Sequence, residues 1–226
     1  MRGVEPETWA IVVAGGEGRR FGAPKQFALL GGRTVLEWSV AAARSVAAGV
    51  VVVVPRASVE DRLVVASADA VVEGGATRAR SVRAGLAAVP ARAQVVLVHD
   101  AARPLASPAL FAAVVEAVHA GASGAIPGVS VADTVKRVAA GSVVETLDRE
   151  QLVTVQTPQA FRASVLRAAH AGEPEATDDA ALLELIGASV AVVAGEVTNV
   201  KLTRPADLAL LESYIAGDVR FSGSQR

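Results

Sequence analysis

A glycine-rich segment with two arginines stands directly after the first apolar run of the chain, at Ala14–Arg20. Glycines after the first strand of an α/β sheet let backbone N–H groups approach a ligand, and arginines bind phosphate oxygens as paired donors. Lys25 follows closely and could reach bound phosphates as a point charge. The segment therefore indicates a phosphate-binding turn, with a tight turn followed by solvated arginines as the alternative.

Two other uses of such a turn are disfavoured by what the rest of the sequence lacks. Gly16, Gly18 and Gly22 match the spacing of a short-chain dehydrogenase turn, but those enzymes need a Tyr with a Lys four residues later. The chain has a single tyrosine, Tyr214, and Asp218 stands four residues after it. A nucleotide-binding P-loop would need a Gly-Lys-Ser or Gly-Lys-Thr ending, which the sequence does not contain.

Polar residues also follow the third and fourth apolar runs. Gly74 and Gly75 could expose amides that read the edge of a base, or could form a turn before a helix capped by Thr77. Asp100 and Arg103 follow the fourth run and could bind a metal–phosphate group or a substrate hydroxyl, or could form a structural ion pair. These segments make the carboxyl edge of the predicted sheet the place to look for a site.

Composition excludes several classes of protein. The 226 residues include no cysteine, which removes disulfides, thiolate metal sites and a cysteine nucleophile. A net charge of -1 argues against a dedicated nucleic-acid binder. Glu5 and Glu7 stand where a signal peptide would be positive, and the apolar runs are shorter than the ~20 residues of a membrane helix. We therefore expect a soluble, cytoplasmic chain with no membrane partner.

Val-rich runs alternate with Ala-rich helical patterns through the first half of the chain. The predicted strands are Trp9–Ala14, Val50–Val54, Ala70–Glu73 and Val95–His99. The predicted helices are Thr34–Ala47, Ser58–Ser67, Thr77–Val89 and Pro108–His119. Nearly continuous apolar strands are typical of a sheet that is covered on both faces, so the alternation predicts a parallel, doubly wound α/β sheet.

The pattern changes between residues 128 and 156. Val131–Val138 and Ser142–Leu147 flank a turn signal at 139–141, which predicts an antiparallel hairpin. The segment is too polar for a core and reads as an arm, and a two-stranded ribbon alone is marginally stable. Packing against a second copy would stabilise it, which favours a two-fold homodimer. After Gln159 a helical pattern resumes, followed by a strand at Val190–Ala194 and a helix at Pro205–Ala216.

Taken together, these segments resemble one family, the 2-C-methyl-D-erythritol 4-phosphate cytidylyltransferases, from Ile11 to about Tyr214. The matching segments occur in order, at Ala14–Arg20, Pro24–Gln26, Gly74-Gly75 with Arg78 and Ser81, His99–Pro104, Asp133-Thr134, Asp148-Arg149, Thr157–Gln159, Thr177-Asp178 and Lys201–Pro205. The resemblance implies a Rossmann-like, mostly parallel sheet of the nucleotide-diphospho-sugar transferase type with a protruding hairpin arm. Residues 1–226 would form one nucleotidyltransferase domain, with 128–156 as a dimerisation arm.

The resemblance also implies roles for individual residues. The catalytic cations would be Arg20, Lys25, Arg149 and Lys201. The substrate-binding residues would be Ala14, Gly15, Gly16, Gly18, Gly74, Gly75, Ser81, Asp100, Ala101, Arg103, Thr134, Thr157 and Thr177. Mg²⁺ or another divalent cation would be held mainly by phosphates, with Asp100 as a metal ligand or a contact to a substrate hydroxyl. Arg149 and Thr134 would serve the site of the partner subunit.

The implied reaction transfers CMP from CTP to 2-C-methyl-D-erythritol 4-phosphate and releases pyrophosphate. The acceptor phosphate is ionised near neutral pH, so the chemistry needs positive charge rather than a general base. Gly15 departs from the family's usual second alanine, and Thr198 stands where family members often have an acidic or small polar residue. The alternatives are transfer to another polyol phosphate such as ribitol 5-phosphate, a dehydrogenase, and a non-catalytic nucleotide-binding module.

Overall fold

The computed structural model describes residues 7–16, 18, 21–61 and 68–217. Its strands, in chain order, are β1 (Thr8–Val13), β2 (Leu29–Leu30), β3 (Arg33–Thr34), β4 (Gly49–Val54), β5 (Ala70–Glu73), β6 (Val95–Asp100), β7 (Gly124–Ser130), β8 (Lys136–Ala139), β9 (Ser142–Thr146), β10 (Val153–Val155), β11 (Gln159–Arg162) and β12 (Val190–Ala194). Its α-helices are α1 (Val35–Arg44), α2 (Arg78–Ala88), α3 (Pro108–His119), α4 (Ala163–Ala169), α5 (Asp179–Leu185) and α6 (Pro205–Gly217).

Eight of these strands form one sheet with helices on both faces. Its first half runs β5-β4-β1-β6 and is wholly parallel, and its second half adds β11, β7, β12 and β10. The strand order reverses between β1 and β6, and open α/β sheets bind ligands at the carboxyl edge of such a switch point. The predicted doubly wound, mostly parallel sheet is confirmed.

Alternate residues of each central strand enter two separate cores. Val12, Val50 and Val52 pack on the face covered by α1 and α3, whereas Ile11 and Val51 pack on the face covered by α2, α4 and α5. All five are fully buried, because a strand inside such a sheet has no solvent face. β-branched valines suit this position, which explains why the strands could be predicted from their composition.

The second half of the sheet corrects three predictions. The segment after Gln159 begins with an antiparallel strand, β11, that pairs with β6 and β7 before α4 starts. Of the segment 128–156, residues 128–130 and 153–155 pair with each other inside the main sheet as parts of β7 and β10. The strand predicted at Val131–Val138 starts only at Lys136.

The remaining part, residues 131–152, contains the β8–β9 ribbon and is called the arm below. β8 and β9 pair only with each other among the described strands, and each of their residues is exposed. Val138 and Val143 lie opposite each other across the ribbon. An antiparallel hairpin outside the core was predicted, and its presence is confirmed.

Two further predictions concern the regions beside the sheet. In place of the start of the helix predicted over Ser58–Ser67 the structure has a short 3₁₀ turn, Arg56–Ser58, and residues 62–67 lie outside the described residues. The C-terminal helix begins at Pro205 as predicted. Within the described ranges, no helix is long and apolar enough to cross a membrane.

Candidate functional site

The glycine turn after β1 lies against the turn after β5. The Ala14 amide donates a hydrogen bond to Val53 O at 2.7 Å, and a Cβ added at Gly15 would lie 3.5 Å from Ser81 Oγ. Gly18 has a φ of +68°, and a Cβ there would lie 1.8 Å from the carbonyl oxygen of Ala23. Any larger residue at position 18 would force the loop to move, so glycine is required for the close return of the chain.

The turn after β5 leads into α2. Thr77 Oγ1 accepts a hydrogen bond from Arg80 N at 3.2 Å, so the predicted helix cap is confirmed. Ser81 Oγ donates to the carbonyl oxygen of Thr77 at 2.9 Å and is buried beside Gly15. Small residues of the two turns, Gly15 and Gly74, therefore pack closely together beside Ser81.

The side chain of Lys25 is hydrogen-bonded to the backbone of the loop after β12, at Leu202. Lys25 Nζ donates to the carbonyl oxygen of Leu202 at 2.7 Å, and Leu202 N donates to the carbonyl oxygen of Ala102 at 2.7 Å. Leu202 is fully buried, so the loop cannot lift without exposing it. This places Lys25 and Lys201, which is next to Leu202, on the same side of the crevice.

Asp100, the last residue of β6, is the electrostatic centre of this edge. Lys201 Nζ donates to Oδ2 at 2.5 Å, and Arg78 Nε donates to Oδ1 at 3.2 Å. Burial by itself would raise the pKa of the carboxyl, but the charges of Arg78 and Lys201 outweigh it and hold the pKa well below its usual range. Asp100 is therefore ionised at neutral pH. The ion pair weighed for Asp100 exists, but with Arg78 and Lys201 rather than with Arg103.

The ion pairs continue beyond Asp100 into the protein. Arg78 Nη1 donates to Asp179 Oδ2 at 2.7 Å, and His170 Nε2 lies 3.0 Å from Asp179 Oδ1. Burial works against the charge of Arg78, but Asp179 and Asp100 outweigh it and raise the pKa of the guanidinium. Arg78 is thus fixed between two carboxylates.

Thr157 and His99 form the floor of the site near Asp100. Thr157 Oγ1 accepts a hydrogen bond from Asp100 N at 3.0 Å and lies 3.2 Å from His99 Nδ1. The other ring nitrogen of His99 lies 3.2 Å from the carbonyl oxygen of Arg103. Complete burial lowers the pKa of His99 to about 4. The ring is therefore neutral at neutral pH, and both of its nitrogens have partners.

Arg103 closes the site on the side of the loop after β12. Its Nη1 donates to the carbonyl oxygen of Asn199 at 2.7 Å, and Asn199 Nδ2 donates to the carbonyl oxygen of Thr157 at 3.0 Å. Burial lowers the pKa of Arg103 from its ordinary value, but the group stays a cation at neutral pH. Asn199, fully buried, thus holds the loop against the floor.

Two cavities adjoin at this edge. The first, of about 240 Å³, lies between the two glycine turns and Lys25. The second, of about 450 Å³, lies between Arg103, Thr157 and the start of α5. Three charged residues, Arg78, Asp100 and Lys201, line both cavities. Ligands in the two cavities would therefore meet over these three side chains.

The arrangement offers little to a metal ion except Asp100. The described residues contain no group of three or more His, Asp or Glu side chains that could hold a metal. Both oxygens of Asp100 are engaged by cations. This donor set does fit Mg²⁺, because Mg²⁺ is commonly bound by one carboxylate together with water and substrate phosphates.

The family model for IspD, 2-C-methyl-D-erythritol 4-phosphate cytidylyltransferase, matches residues 8–217. The chain belongs to this family. It is 46% identical over 218 residues to the cytidylyltransferase of that name from Frankia casuarinae, covering 93% of this chain and 82% of the relative. It is 45% identical to the one from Rhodococcus jostii, covering 91% and 94%. It also matches the bifunctional enzyme IspD/IspF of Nitratidesulfovibrio vulgaris at 45% identity, and there the chain spans 58% of the relative.

Solved structures of the family share the fold. The 4-diphosphocytidyl-2C-methyl-D-erythritol synthase of Anaerococcus prevotii superposes with a TM-score of 0.81 at 30% identity, covering 93% of this chain and 99% of that chain. The 2-C-methyl-D-erythritol 4-phosphate cytidylyltransferase of Thermus thermophilus superposes with a TM-score of 0.79 at 38% identity, covering 91% and 98%. The IspD fold is therefore present over nearly the whole chain.

Most of the residues predicted from the family resemblance converge on the two cavities. The first is lined by Ala14, Gly15, Gly16, Lys25, Gly75, Ser81, Asp100, Ala101 and Lys201. The second is lined by Asp100, Arg103, Thr157, Thr177 and Lys201. Gly18 and Gly74 belong to the bordering turns. Arg20 lies outside the described residues. Thr134 and Arg149 are exposed on the arm and line neither cavity, and Arg149 Nη1 donates to Ala132 O at 2.6 Å.

Sequence reasoning missed Arg78 and Asp179 as parts of the site. Arg78 stands in the segment that carries the family resemblance, and its position just after a strand end was a usable signal. Asp179 does not belong to the segments that carry the family resemblance, and its neighbour Asp178 caps α5 by accepting from Ala181 N at 3.0 Å. The contact between Asp179 and Arg78 joins residues 101 positions apart, and no local pattern encodes it.

Proposed function

We propose that this chain transfers CMP from CTP to 2-C-methyl-D-erythritol 4-phosphate, releasing pyrophosphate and forming 4-diphosphocytidyl-2-C-methyl-D-erythritol. One observation carries the proposal, namely two adjoining cavities that share Arg78, Asp100 and Lys201. CTP would occupy the first cavity, between the glycine turns, and the polyol phosphate would occupy the second. The names of the relatives supply the identity of the two substrates.

In the reaction an oxygen of the acceptor phosphate attacks the α-phosphorus of CTP. The new oxygen–phosphorus bond forms as the bond from the α-phosphorus to the bridging oxygen of pyrophosphate breaks, and the leaving electrons stay on pyrophosphate. A phosphomonoester is largely dianionic at neutral pH, since its second pKa is about 6. The nucleophile therefore needs no proton removed, and the protein's task is to bring two anions together.

Lys25 and Lys201 are placed for that task. Lys25 lines the first cavity, where its ammonium would meet the triphosphate and the charge that develops at the α-phosphorus. Lys201 lines both cavities and is about 41% exposed, so its ammonium can leave Asp100 for an incoming phosphate. Asp100 would then remain balanced by Arg78, which keeps its own second partner in Asp179.

His99 is not suited to act as a base. Burial lowers its pKa to about 4, so it takes up a proton poorly, and Thr157 and Arg103 O occupy its two nitrogens. Its role is to hold Thr157, which in turn fixes the backbone of Asp100. This agrees with a transfer reaction that requires no general base.

Mg²⁺ or another divalent cation is part of the proposal, with Asp100 as the side chain available to hold it. When bound, the ion would neutralise triphosphate charge and orient the phosphates. Asp100 alternatively contacts a hydroxyl of the acceptor. A carboxylate can serve in either role, and the lowered pKa of Asp100 keeps it ionised at neutral pH.

The arm completes the proposal. Val138, Val143 and Val144 are each at least 58% exposed on the arm, and a two-stranded ribbon with apolar side chains in water is marginally stable. Contact with a second copy would bury these valines, and a two-fold dimer is the commonest arrangement. We therefore include a homodimer in which Thr134 and Arg149 reach the acceptor site of the partner.

The test is pyrophosphate release with CTP and a panel of polyol phosphates. We expect turnover with 2-C-methyl-D-erythritol 4-phosphate, much less with ribitol 5-phosphate, and almost none in excess EDTA until Mg²⁺ is restored. The reverse preference would reassign the acceptor to ribitol 5-phosphate. Full turnover in EDTA would remove the metal from the proposal. No pyrophosphate with any acceptor would reject transferase activity in favour of a binding role.

A further inference from the structure

Two residues that line the second cavity each carry a buried polar atom that has no hydrogen-bond partner. Gln159 Oε1 and Arg78 Nη2 are both fully buried atoms, and neither is paired with any group in the described part of the chain. Gln159 and Arg78 both line the second cavity. Burying a polar atom without a partner is unfavourable, so an unpaired acceptor and an unpaired donor on residues that line one cavity need an explanation.

The other terminal atom of each group, the amide nitrogen of Gln159 and Nη1 of Arg78, is hydrogen-bonded to a carboxylate at the start of α5. Gln159 Nε2 donates to Asp178 Oδ2 at 2.8 Å, and Arg78 Nη1 donates to Asp179 Oδ2 at 2.7 Å. The bond to Asp178 also fixes which way the Gln159 amide points, since the opposite orientation would set two oxygens against each other. The adjacent pair Asp178-Asp179 therefore leaves Oε1 of Gln159 and Nη2 of Arg78 as the atoms without partners.

An acceptor and a donor together match the chemistry of a hydroxyl group, which both donates and accepts a hydrogen bond. We propose that Gln159, oriented by Asp178, is a specificity-determining residue that accepts a hydrogen bond from one hydroxyl of the acceptor polyol, while Arg78 Nη2 donates to the oxygen of the same hydroxyl. Because both atoms are shielded from water, this contact requires a small movement of the two side chains during which their bonds to Asp178 and Asp179 are kept. This inference rests on the proposed function, because it assigns an acceptor to the second cavity.

Specificity follows from the unpaired atoms themselves. A ligand that lacks the hydroxyl leaves both atoms buried and unsatisfied, so a site of this kind rejects a deoxy analogue more strongly than a purely apolar pocket would. The inference therefore concerns recognition of a hydroxylated chain, separately from recognition of the phosphate by Lys201.

The experiment is a thermodynamic cycle that tests whether removing the Gln159 side chain and removing one hydroxyl of the acceptor have independent effects on kcat/KM. Wild type and Gln159→Met are assayed for kcat/KM with 2-C-methyl-D-erythritol 4-phosphate and with its monodeoxy analogues, each lacking one hydroxyl. For wild type we expect one analogue to lose about 10–100-fold in kcat/KM. Gln159→Met is expected to lose a similar factor on the full substrate and almost nothing further on that analogue. KM for CTP should stay unchanged.

A second variant reverses the amide without removing it. In Asp178→Asn the asparagine can still cap α5, but its amide now donates, so Gln159 would turn and present N–H groups to the ligand. A hydroxyl can accept as well as donate, and the expected loss on the full substrate is about 3–10-fold, smaller than for Gln159→Met. Glu184→Ala, on an exposed residue that lines the same cavity, is the matched control and should leave KM for the acceptor unchanged.

The outcomes separate this inference from the proposed function. A wild-type enzyme that releases pyrophosphate while Gln159→Met discriminates against every deoxy analogue as wild type does would overturn the inference alone. A wild type without activity on any polyol phosphate would remove the proposed function instead. If Gln159→Met unfolds, the Asp178→Asn profile decides: a selectivity for hydroxyls unchanged from wild type would also overturn the inference.

Discussion

The strand edge that carries Asp100 and the arm that carries Arg149 are held in opposite ways. Asp100 ends a strand whose residues are all buried, and its two oxygens are fixed by Arg78 and Lys201. Arg149 is exposed and makes its one described side-chain hydrogen bond within the arm, to Ala132 O. The difference teaches that the chain preorganises the charges at its own crevice, whereas the cation on the arm lines neither cavity of that crevice.

The largest effect on turnover should come from a substitution in the crevice, where the charges are preorganised. Lys25→Ala removes one charge that stands ready at the first cavity, and losing such a contact typically lowers kcat by ~10²–10³-fold. The side chain is only partly buried and leaves no core cavity, so the thermal midpoint should change little. Arg56→Ala, on an exposed cation away from both cavities, serves as the control. Wild-type turnover in Lys25→Ala would mean that the ammonium does nothing beyond its bond to Leu202 O.

The comparison becomes sharper if the arm of one subunit serves the other. Lys25→Ala and Arg149→Ala, each inactive alone, should recover activity when unfolded and refolded together. Each heterodimer would contain one site with both defects and one with neither, giving at most about half the activity of a wild-type dimer per heterodimer. The measurement is turnover of the mixture against each variant treated alone. Heterodimers seen by mass spectrometry without recovered turnover would place Arg149 in its own subunit's site or outside the site.

The smallest effect is expected on the pH dependence of stability, through the buried His99 beneath the crevice. His99 has a pKa of about 4 in the folded chain, below the ordinary 6.5, so the unfolded chain takes up the proton first as pH falls. Relative to neutral pH, this proton uptake lowers the free energy of unfolding by a total of roughly 3 kcal/mol, beginning below about pH 6.5 and nearly complete at pH 4.

The measurement is urea unfolding across this pH range. His99→Gln should lower stability at neutral pH because it disturbs the bonds to Thr157 and Arg103 O, but its stability should fall less steeply on acidification than that of wild type. His119→Gln, on an exposed histidine of α3, is the control. If the free energy of unfolding fell equally steeply with decreasing pH in wild type and in His99→Gln, His99 would not be the cause of this acid sensitivity.

The parallel half of the fold was predictable because its signals are local. β5 was predicted with its observed bounds, and β1, β4 and β6 within one residue at each end, since each is a valine-rich run between polar turns. β7 was not predicted, because it contains Pro127 and two glycines, which argue against a central strand. β11 is only four residues long and joins the sheet antiparallel, so its partner rather than its composition defines it.

The candidate site shows the same division. The turns around Gly15 and Gly75 and the carboxylate of Asp100 could be predicted, because strand ends in such sheets converge at one edge. The contacts of Arg78 with Asp179 and of Gln159 with Asp178 could not, since each depends on where α5 packs. The pair Asp178-Asp179 starts α5, but the contacts of these two residues with Gln159 and Arg78 are visible only in three dimensions.

The backbone of Leu202 has a consequence for the order in which the enzyme is made. Its carbonyl oxygen holds Lys25, its amide is tied to Ala102 O, and it follows Lys201 directly. During translation the strands up to β6 leave the ribosome long before this residue does. A nascent chain can therefore assemble the parallel half of the sheet while Lys25 still lacks its anchor and Asp100 its lysine. The contacts of Lys25 with Leu202 O and of Lys201 with Asp100 can form only once the segment around Leu202 has docked.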